Sequence, residues 1–277
     1  MLPTQNLIAP VIKWSGSKRY VANQLGNYIK KKERYIEPFV GGGSMLPFRK
    51  IDKAIASDII PELVQLWNQI KNNPKKVSKE YEKRWIRLQK EGHSVYYEIR
   101  DNFNSTKNEF DFLFLTRTCT NGLIRYNSSG EFNNSIHKNR PGINPKSLDI
   151  IINEWSQFIK DVEFRNTDYR ETLSDVNKKD FIFLDPPYGG TKGRYTKSEF
   201  IIDDLFKEIE RLNSVGASWI LTFDGNAGDR VYKYDLPKEL FKNKIQIKTG
   251  NSPFTKSMKT SIDAVYESVY FNFKIEI

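Results

Sequence analysis

Four bulky apolar residues, Phe181-Ile182-Phe183-Leu184, run straight into Asp185-Pro186-Pro187-Tyr188. An unbroken apolar run of this length reads as a strand buried on both faces. The double proline stops it, because proline fixes φ and has no N–H to give to the ladder. In an open α/β sheet, ligands sit outside the carboxyl ends of the strands. The stop therefore sets a carboxylate, proline carbonyls and a tyrosine ring where such a sheet does its chemistry. Asp185 and the Pro186 carbonyl suit the two hydrogens of an exocyclic amine, and Tyr188 suits the face of the ring that carries it. An ordinary turn would also end a strand in Asp-Pro, so the rest of the chain has to decide.

The surrounding pattern supports the sheet. Candidate strands fall at 35–39, 53–58, 162–167, 181–185, 218–223, 244–249 and 267–273. Helical spacing separates most of them: Val21, Leu25 and Ile29 in 18–31, Leu63, Leu66, Trp67 and Ile70 in 61–71, and Leu205, Phe206, Ile209 and Leu212 in 203–215. Strand–helix alternation predicts a three-layer, Rossmann-like α/β fold. The stretch 62–148 breaks the alternation. It is helical and basic, then passes into a hairpin in which the turn cluster Asn127–Gly130 parts two strand-like dipeptides. The expected organisation is one domain in two parts, 1–61 and 149–277, with an inserted basic domain at 62–148. The segment 250–264 reads as a loop whose two lysines and hydroxyls suit either phosphate contact or a plain linker.

Two further segments suit a nucleoside-like ligand. After the strand end Tyr35-Ile36 comes Glu37-Pro38-Phe39-Val40-Gly41-Gly42-Gly43-Ser44. The glycines permit a tight turn and a close backbone approach to a ligand. No Gly-Lys-Ser/Thr follows, which excludes a Walker phosphate loop, and the dinucleotide glycine spacing is also absent. Lys53–Asp58 reads as a second strand ending in an acid, Asp58, suited to the two hydroxyls of a ribose. A helix cap ahead of Pro61 is the alternative for the same residue. At the N-terminus, Lys13-Trp14-Ser15-Gly16-Ser17-Lys18 joins a bend, a flat ring and two cations.

The net charge of +10 is unevenly placed. Residues 71–90 carry eight Lys or Arg against two Glu, and 117–148 carry five against one acid, so the remainder is neutral. Two basic stretches on a neutral background read as a phosphate-binding face. The aromatic residues near the first, Tyr81, Trp85, Tyr96 and Tyr97, read as packing. The single cysteine, Cys119, excludes an intrachain disulfide and fits a cytoplasmic location. His93 and His137 are too few and too far apart for a zinc site, and no metal is expected. No apolar run approaches the roughly 20 residues of a membrane span, and the first residues lack the pattern of a signal peptide.

The motifs Lys13-Trp14-x-Gly16-x-Lys18, Glu37-Pro38-Phe39-x-Gly41-x-Gly43, the hairpin Asn121-Gly122-x-x-Arg125-Tyr126-Asn127-x-x-Gly130-x-Phe132-Asn133 and Asp185-Pro186-Pro187-Tyr188 stand in one order over the chain. In content and order they resemble the Dam-type, alpha-group DNA adenine-N6 methyltransferases. The resemblance implies transfer of a methyl group from S-adenosylmethionine to a flipped adenine in double-stranded DNA. It implies Asp185, Pro186, Pro187 and Tyr188 as catalytic residues. It implies contacts to the methyl donor from Trp14, Lys18, Glu37, Pro38, Phe39, Gly41, Gly43, Asp58, Asp168 and Tyr169. It implies DNA contacts from Lys13, Asn121, Leu123, Arg125 and Asn133. After Asn133 the chain departs from the family's commonest pattern, with Asn134-Ser135-Ile136-His137 where Val-Pro-Phe-Gly often stands. The same hairpin also occurs in restriction-associated methylases, so the expected target is GATC or a related GAT-containing site, with a cognate endonuclease as a possible partner. Cytosine-N4 methylation is the rival chemistry, although that class more often has Ser at the place of Asp185. A DNA-binding protein without catalysis is the other rival.

Overall fold

A computed structural model describes residues 8–139, 142–187, 200–227, 230–231, 236–251 and 264–275. Its spine is an eight-stranded sheet. The strands are β1 (Arg34–Glu37), β2 (Ala54–Ser57), β3 (Val162–Arg165), β4 (Asp180–Leu184), β5 (Ser218–Ala227), β6 (Arg230–Val231), β7 (Asn243–Asn251) and β8 (Ala264–Phe271). Their spatial order is β3-β2-β1-β4-β5-β8-β7, with the two-residue β6 paired to β5. The first five of that order run parallel, and β8 is antiparallel to both β5 and β7. All seven strands expected from the sequence are present, within a few residues of their expected ends. Only β6, too short to carry a periodic signal, was not foreseen.

The two faces of the sheet divide the core as the strand alternation requires. Tyr35, Ala54, Ala56, Phe181, Phe183 and Ile220 face one apolar cluster, and Ile36, Ile55, Ile182, Leu184, Trp219 and Leu221 face the other. The second face is covered by α7 (Tyr169–Leu173) and α8 (Ile202–Ser214). The first is covered by α1 (Ala22–Gly26), α2 (Pro61–Asn72) and α6 (Pro145–Phe158). The helix expected over 18–31 is instead a 3₁₀ turn, Lys18–Tyr20, followed by the short α1. Gly26 ends α1, and its bare Cα is needed there, since a Cβ would lie 2.9 Å from the Phe48 side chain.

After α2, the stretch 62–148 continues with the helices α3 (Pro74–Glu91), α4 (Ser94–Thr106) and α5 (Glu109–Thr118). Their buried residues, among them Val77, Tyr81, Tyr96 and Phe103, belong to the same apolar cluster as the first sheet face. α2 carries the join. Its Trp67 stacks on Phe164 of β3 at 5.7 Å between ring centroids and meets Trp155 of α6 at 5.1 Å. No helix among the described residues is long and apolar enough to cross a membrane.

Candidate active site

The strand order reverses at β1, whose neighbours are β2 on one side and β4 on the other. Such a switch point opens a crevice beyond the strand ends, and Glu37, Asp58 and Asp185 all stand there, at or just past the ends of β1, β2 and β4. Asp185 is held from two sides. Its Oδ1 accepts from Thr222 Oγ1 at 2.8 Å and pairs with Lys18 Nζ at 2.8 Å. Thr222 follows Leu221, the partner of Leu184 in the β4–β5 ladder, so the register sets it level with Asp185. Lys18 is buried, and its ammonium also pairs with Glu267 of β8 at 3.0 Å and donates to the Gly16 carbonyl at 3.2 Å. Among the described residues no donor reaches Asp185 Oδ2. Burial pushes the Asp185 carboxyl up, Lys18 pulls it back and Glu267 pushes it up again. Pro186 is buried and Pro187 exposed, while Tyr188 lies outside the described residues.

Glu37 is buried and accepts from Tyr35 Oη at 3.1 Å. Burial drives its carboxyl well above the ordinary range, against the pull of the Tyr35 hydroxyl. Beside it, the glycine loop departs from the sequence expectation. The close approach that Gly41 and Gly42 permit is to a protein ring, because Cβ atoms there would lie 2.6 and 2.8 Å from Trp14. Gly41 (φ 45°) and Gly43 (φ 66°) also need the left-handed region. The loop is fixed by Trp67 Nε1, which donates to the Gly41 carbonyl at 3.0 Å, and by Ser44 Oγ, which accepts from the Lys18 N–H at 3.1 Å.

Asp58 joins loop to helix. Its Oδ2 accepts from Gly41 N at 3.1 Å and its Oδ1 from Ile60 N at 3.2 Å, just ahead of α2. Burial raises its carboxyl to about 6 against the pull of these backbone donors. Asp58 thus ties the glycine loop and the helix start with one carboxylate. Across the crevice, Phe39, Tyr169 and Phe200 form an aromatic cluster, with Phe39 5.2 Å from Tyr169 and 6.0 Å from Phe200. Asp168 caps α7 through Arg170 N at 2.9 Å and pairs with the Arg170 side chain at 2.8 Å.

Residues 14–262 match the family model described as D12 class N6 adenine-specific DNA methyltransferase. The chain belongs to this family. It is 29% identical to the type II methyltransferase M.MjaIII of Methanocaldococcus jannaschii, over 96% of this chain and 99% of that one. It is 28% identical to a DNA adenine methylase of Vibrio cholerae, over 70% of this chain and 72% of that one. With a DNA adenine methylase of Haemophilus influenzae it shares 29% identity over 73% of this chain and 75% of that one. It is an adenine-specific DNA methyltransferase, and the crevice at the switch point is its candidate catalytic site.

The hairpin of this methyltransferase is short. One antiparallel bridge joins Tyr126 to Phe132, another joins Cys119 to Ile136, and Asn127 closes the turn by accepting from Ser129 N and Glu131 N. Asn121 (φ 58°) and Gly122 (φ 64°) bend the chain in succession within the short 3₁₀ turn Thr120–Gly122 ahead of the hairpin. The bend seats the stem of Lys13, since a Cβ on Gly122 would lie 2.7 Å from Lys13 Cβ. Lys13, Asn121 and Leu123 are thereby gathered. Burial and the nearby Arg117 lower the Lys13 ammonium. Arg125 is exposed, and its Nε donates to Asn133 Oδ1 at 2.9 Å, which leaves both terminal nitrogens without a partner among the described residues. Asn134, where the chain departs from the commonest pattern, donates to the carbonyls of Thr120 at 3.0 Å and Leu123 at 2.8 Å.

Sequence reasoning passed over Thr222, Glu267, Trp67 and Glu62. Glu267 did leave a signal, as a carboxylate amid the apolar residues of the last strand. Glu62 is buried near the start of α2 and accepts from the hairpin's Tyr126 Oη at 3.1 Å.

Proposed function

We propose that this methyltransferase moves the methyl group of S-adenosylmethionine to N6 of an adenine swung out of duplex DNA, at GATC or a related GAT-containing site. The observation that carries the catalytic part is the bonding of Asp185: among the described residues both side-chain partners fall on Oδ1 and none on Oδ2. An adenine N6 is a weak nucleophile because its lone pair is spread into the ring. Asp185 Oδ2 and the Pro186 carbonyl accept the two amine hydrogens and favour a more tetrahedral nitrogen. As the N6–carbon bond forms, positive charge grows on N6, and the Asp185 carboxylate stabilises it. One proton then leaves N6 through the acceptor to which it is bonded, restoring the neutral amine. Tyr188 stacks on the extruded base.

The donor supplies a methyl group already activated on a sulfonium, which departs as a neutral thioether. The residues around the crevice fit such a molecule. Asp58 offers a carboxylate at the end of β2 for the ribose hydroxyls, and Glu37 to Gly43 with Trp14 and Lys18 border the space beside it. Phe39 and Tyr169 supply flat apolar surface for the donor's adenine, with Asp168 beside them. On the DNA side, Lys13, Asn121, Leu123, Arg125 and Asn133 meet the target. Arg125 is suited to O6 and N7 of a guanine, and Asn133 holds its Nε. The insertion 62–148 is proposed as the DNA-binding part. Sequencing DNA from a methylation-free host expressing this chain, with a readout of modified bases, tests the proposal. N6-methyladenine at one GAT-containing site is expected, whereas unmodified DNA or methylated cytosine overturns it.

A further inference from the structure

Lys18 poses an electrostatic problem. Its ammonium, 2.8 Å from Asp185, cancels the one charge expected to stabilise positive N6. Glu37 accepts from Tyr35 instead, and burial disfavours its charged form. Among the described residues Glu267 also pairs with Lys18, at 3.0 Å, and its side chain is only 10% exposed. It projects from β8, in register with Gly225 just past the β5 irregularity after Phe223. With Glu267 ionised, the Asp185–Lys18–Glu267 row carries a net negative charge. Without it, the row is neutral.

Resting on the assignment of Asp185 above, we infer that Glu267 is a positioning residue for methyl transfer. It anchors the Lys18 ammonium against Asp185 Oδ1, so that Oδ2 stays turned to the amine, and it keeps the row net negative while N6 gains positive charge. The arrangement differs from a purely structural ion pair in one respect. A structural pair needs only two charges, whereas here a second carboxylate competes for the same ammonium at hydrogen-bonding distance. Lys18 itself is fixed from behind, by Ser44 on its backbone N–H and by Gly16 on its side chain. Its reach toward Asp185 is thus set by protein contacts on every side.

The test uses Glu267→Gln and Glu267→Asp in the full chain. Three quantities are read: the single-turnover methylation rate against pH, duplex affinity, and the Asp185 carboxyl titration by carbon-13 NMR, assigned by loss of its signal in Asp185→Asn. Glu267→Gln is expected to slow methyl transfer roughly tenfold, below the 10²–10³ typical of a direct stabiliser, with duplex affinity unchanged. The Asp185 titration and the acid limb of the rate are expected to move together to lower pH, because a neighbouring negative charge is gone. Glu267→Asp, which withdraws the carboxylate by one methylene, should give a smaller shift in the same direction. A folded Glu267→Gln with a rate within twofold of wild type overturns the inference. So does an Asp185 titration unmoved in both variants, and if Glu267→Gln fails to fold, an unmoved titration in Glu267→Asp does so alone. The titration needs no turnover, so wild-type protein that methylates no DNA would refute the proposed function separately from the network.

Discussion

Replacing Asp58 with alanine probes the donor side of the crevice. The carboxylate already accepts from Gly41 N and Ile60 N, and a carboxylate has lone pairs left for the proposed ribose hydroxyls. A hydrogen bond to a charged group contributes about 1.5–3 kcal/mol. At about 1.4 kcal/mol per factor of ten, affinity for S-adenosylmethionine should fall roughly ten- to a hundredfold. The same change orphans two backbone N–H groups, so the melting temperature should drop by several degrees, at about 2–4 °C per kcal/mol for a chain of this size. Calorimetric titration with the donor between pH 5 and 8 separates the two effects. The carboxyl titrates at about 6 in the folded protein against 3.8 unperturbed, so the folded state holds its proton longer. Ionising Asp58 therefore costs folding stability as pH rises from about 4 to 6. Donor affinity runs the opposite way, flat above about pH 6 and falling up to tenfold per unit below it, because the ionised form is the better acceptor. Asp58→Ala should abolish that slope. Unchanged affinity with a lowered melting temperature would reduce Asp58 to a tie between loop and helix and refute the ribose assignment.

Asp185→Ala should abolish turnover while leaving fold and donor binding nearly intact, since Lys18 keeps its pair with Glu267 at 3.0 Å; turnover above a tenth of wild type would refute the assignment. Arg125→Ala should cost about 1–3 kcal/mol and relax preference at one guanine, whereas neutralising Lys75, Lys76 and Lys79 should weaken all duplexes alike and flatten the salt dependence. Binding to cognate and scrambled duplexes across a salt series checks both, and equal weakening of the two duplexes by Arg125→Ala would make it a phosphate contact. Trp67→Phe keeps an aromatic ring against Phe164 but removes the donor to the Gly41 carbonyl at 3.0 Å. Donor affinity should fall severalfold in calorimetry, and an unchanged value would separate the loop's position from that bond.

The sheet was legible because its signals are local. Phe181–Leu184 and Ala54–Ser57 read as buried strands on composition alone, and their partners follow from the alternation with helices. What the sequence hid depends on register and on contacts between distant segments. Thr222 meets Asp185 across 37 positions and Lys18 meets Glu267 across 249, so no spacing rule links them. The glycine triplet was visible, but not that Trp14 fills the space it opens. Charge counting overstated the free basic face of 71–90. There Lys83 and Arg84 pair with Glu80, Arg84 also pairs with Asp111, Arg87 pairs with Glu91 and Glu98, and Lys71 donates to the Val162 carbonyl. Lys75, Lys76 and Lys79 are not in any of these pairs, and for that reason they are the ones to neutralise. In the second basic stretch, Arg117 is buried with its guanidinium on the Pro10 carbonyl, a packing role that a count assigns to phosphate.

Helix α2 makes the two halves of the proposed reaction mechanically inseparable. Asp58, just ahead of the helix, and Trp67, in its middle, both bond Gly41, one at its N–H and the other at its carbonyl. From the same helix, Glu62 accepts from Tyr126 in the hairpin, at 3.1 Å. Tyr126 packs edge-on against Phe132, its own cross-strand partner, and Phe132 in turn against Phe103 of α4. A shift of the hairpin on meeting DNA thus has a packed route of a few side chains to the loop proposed to hold the donor. Close-packed interiors transmit such displacements rather than absorb them. If the loop holds the donor and the hairpin meets DNA as proposed, one helix ties the two together, and positioning is what this reaction most requires of the protein.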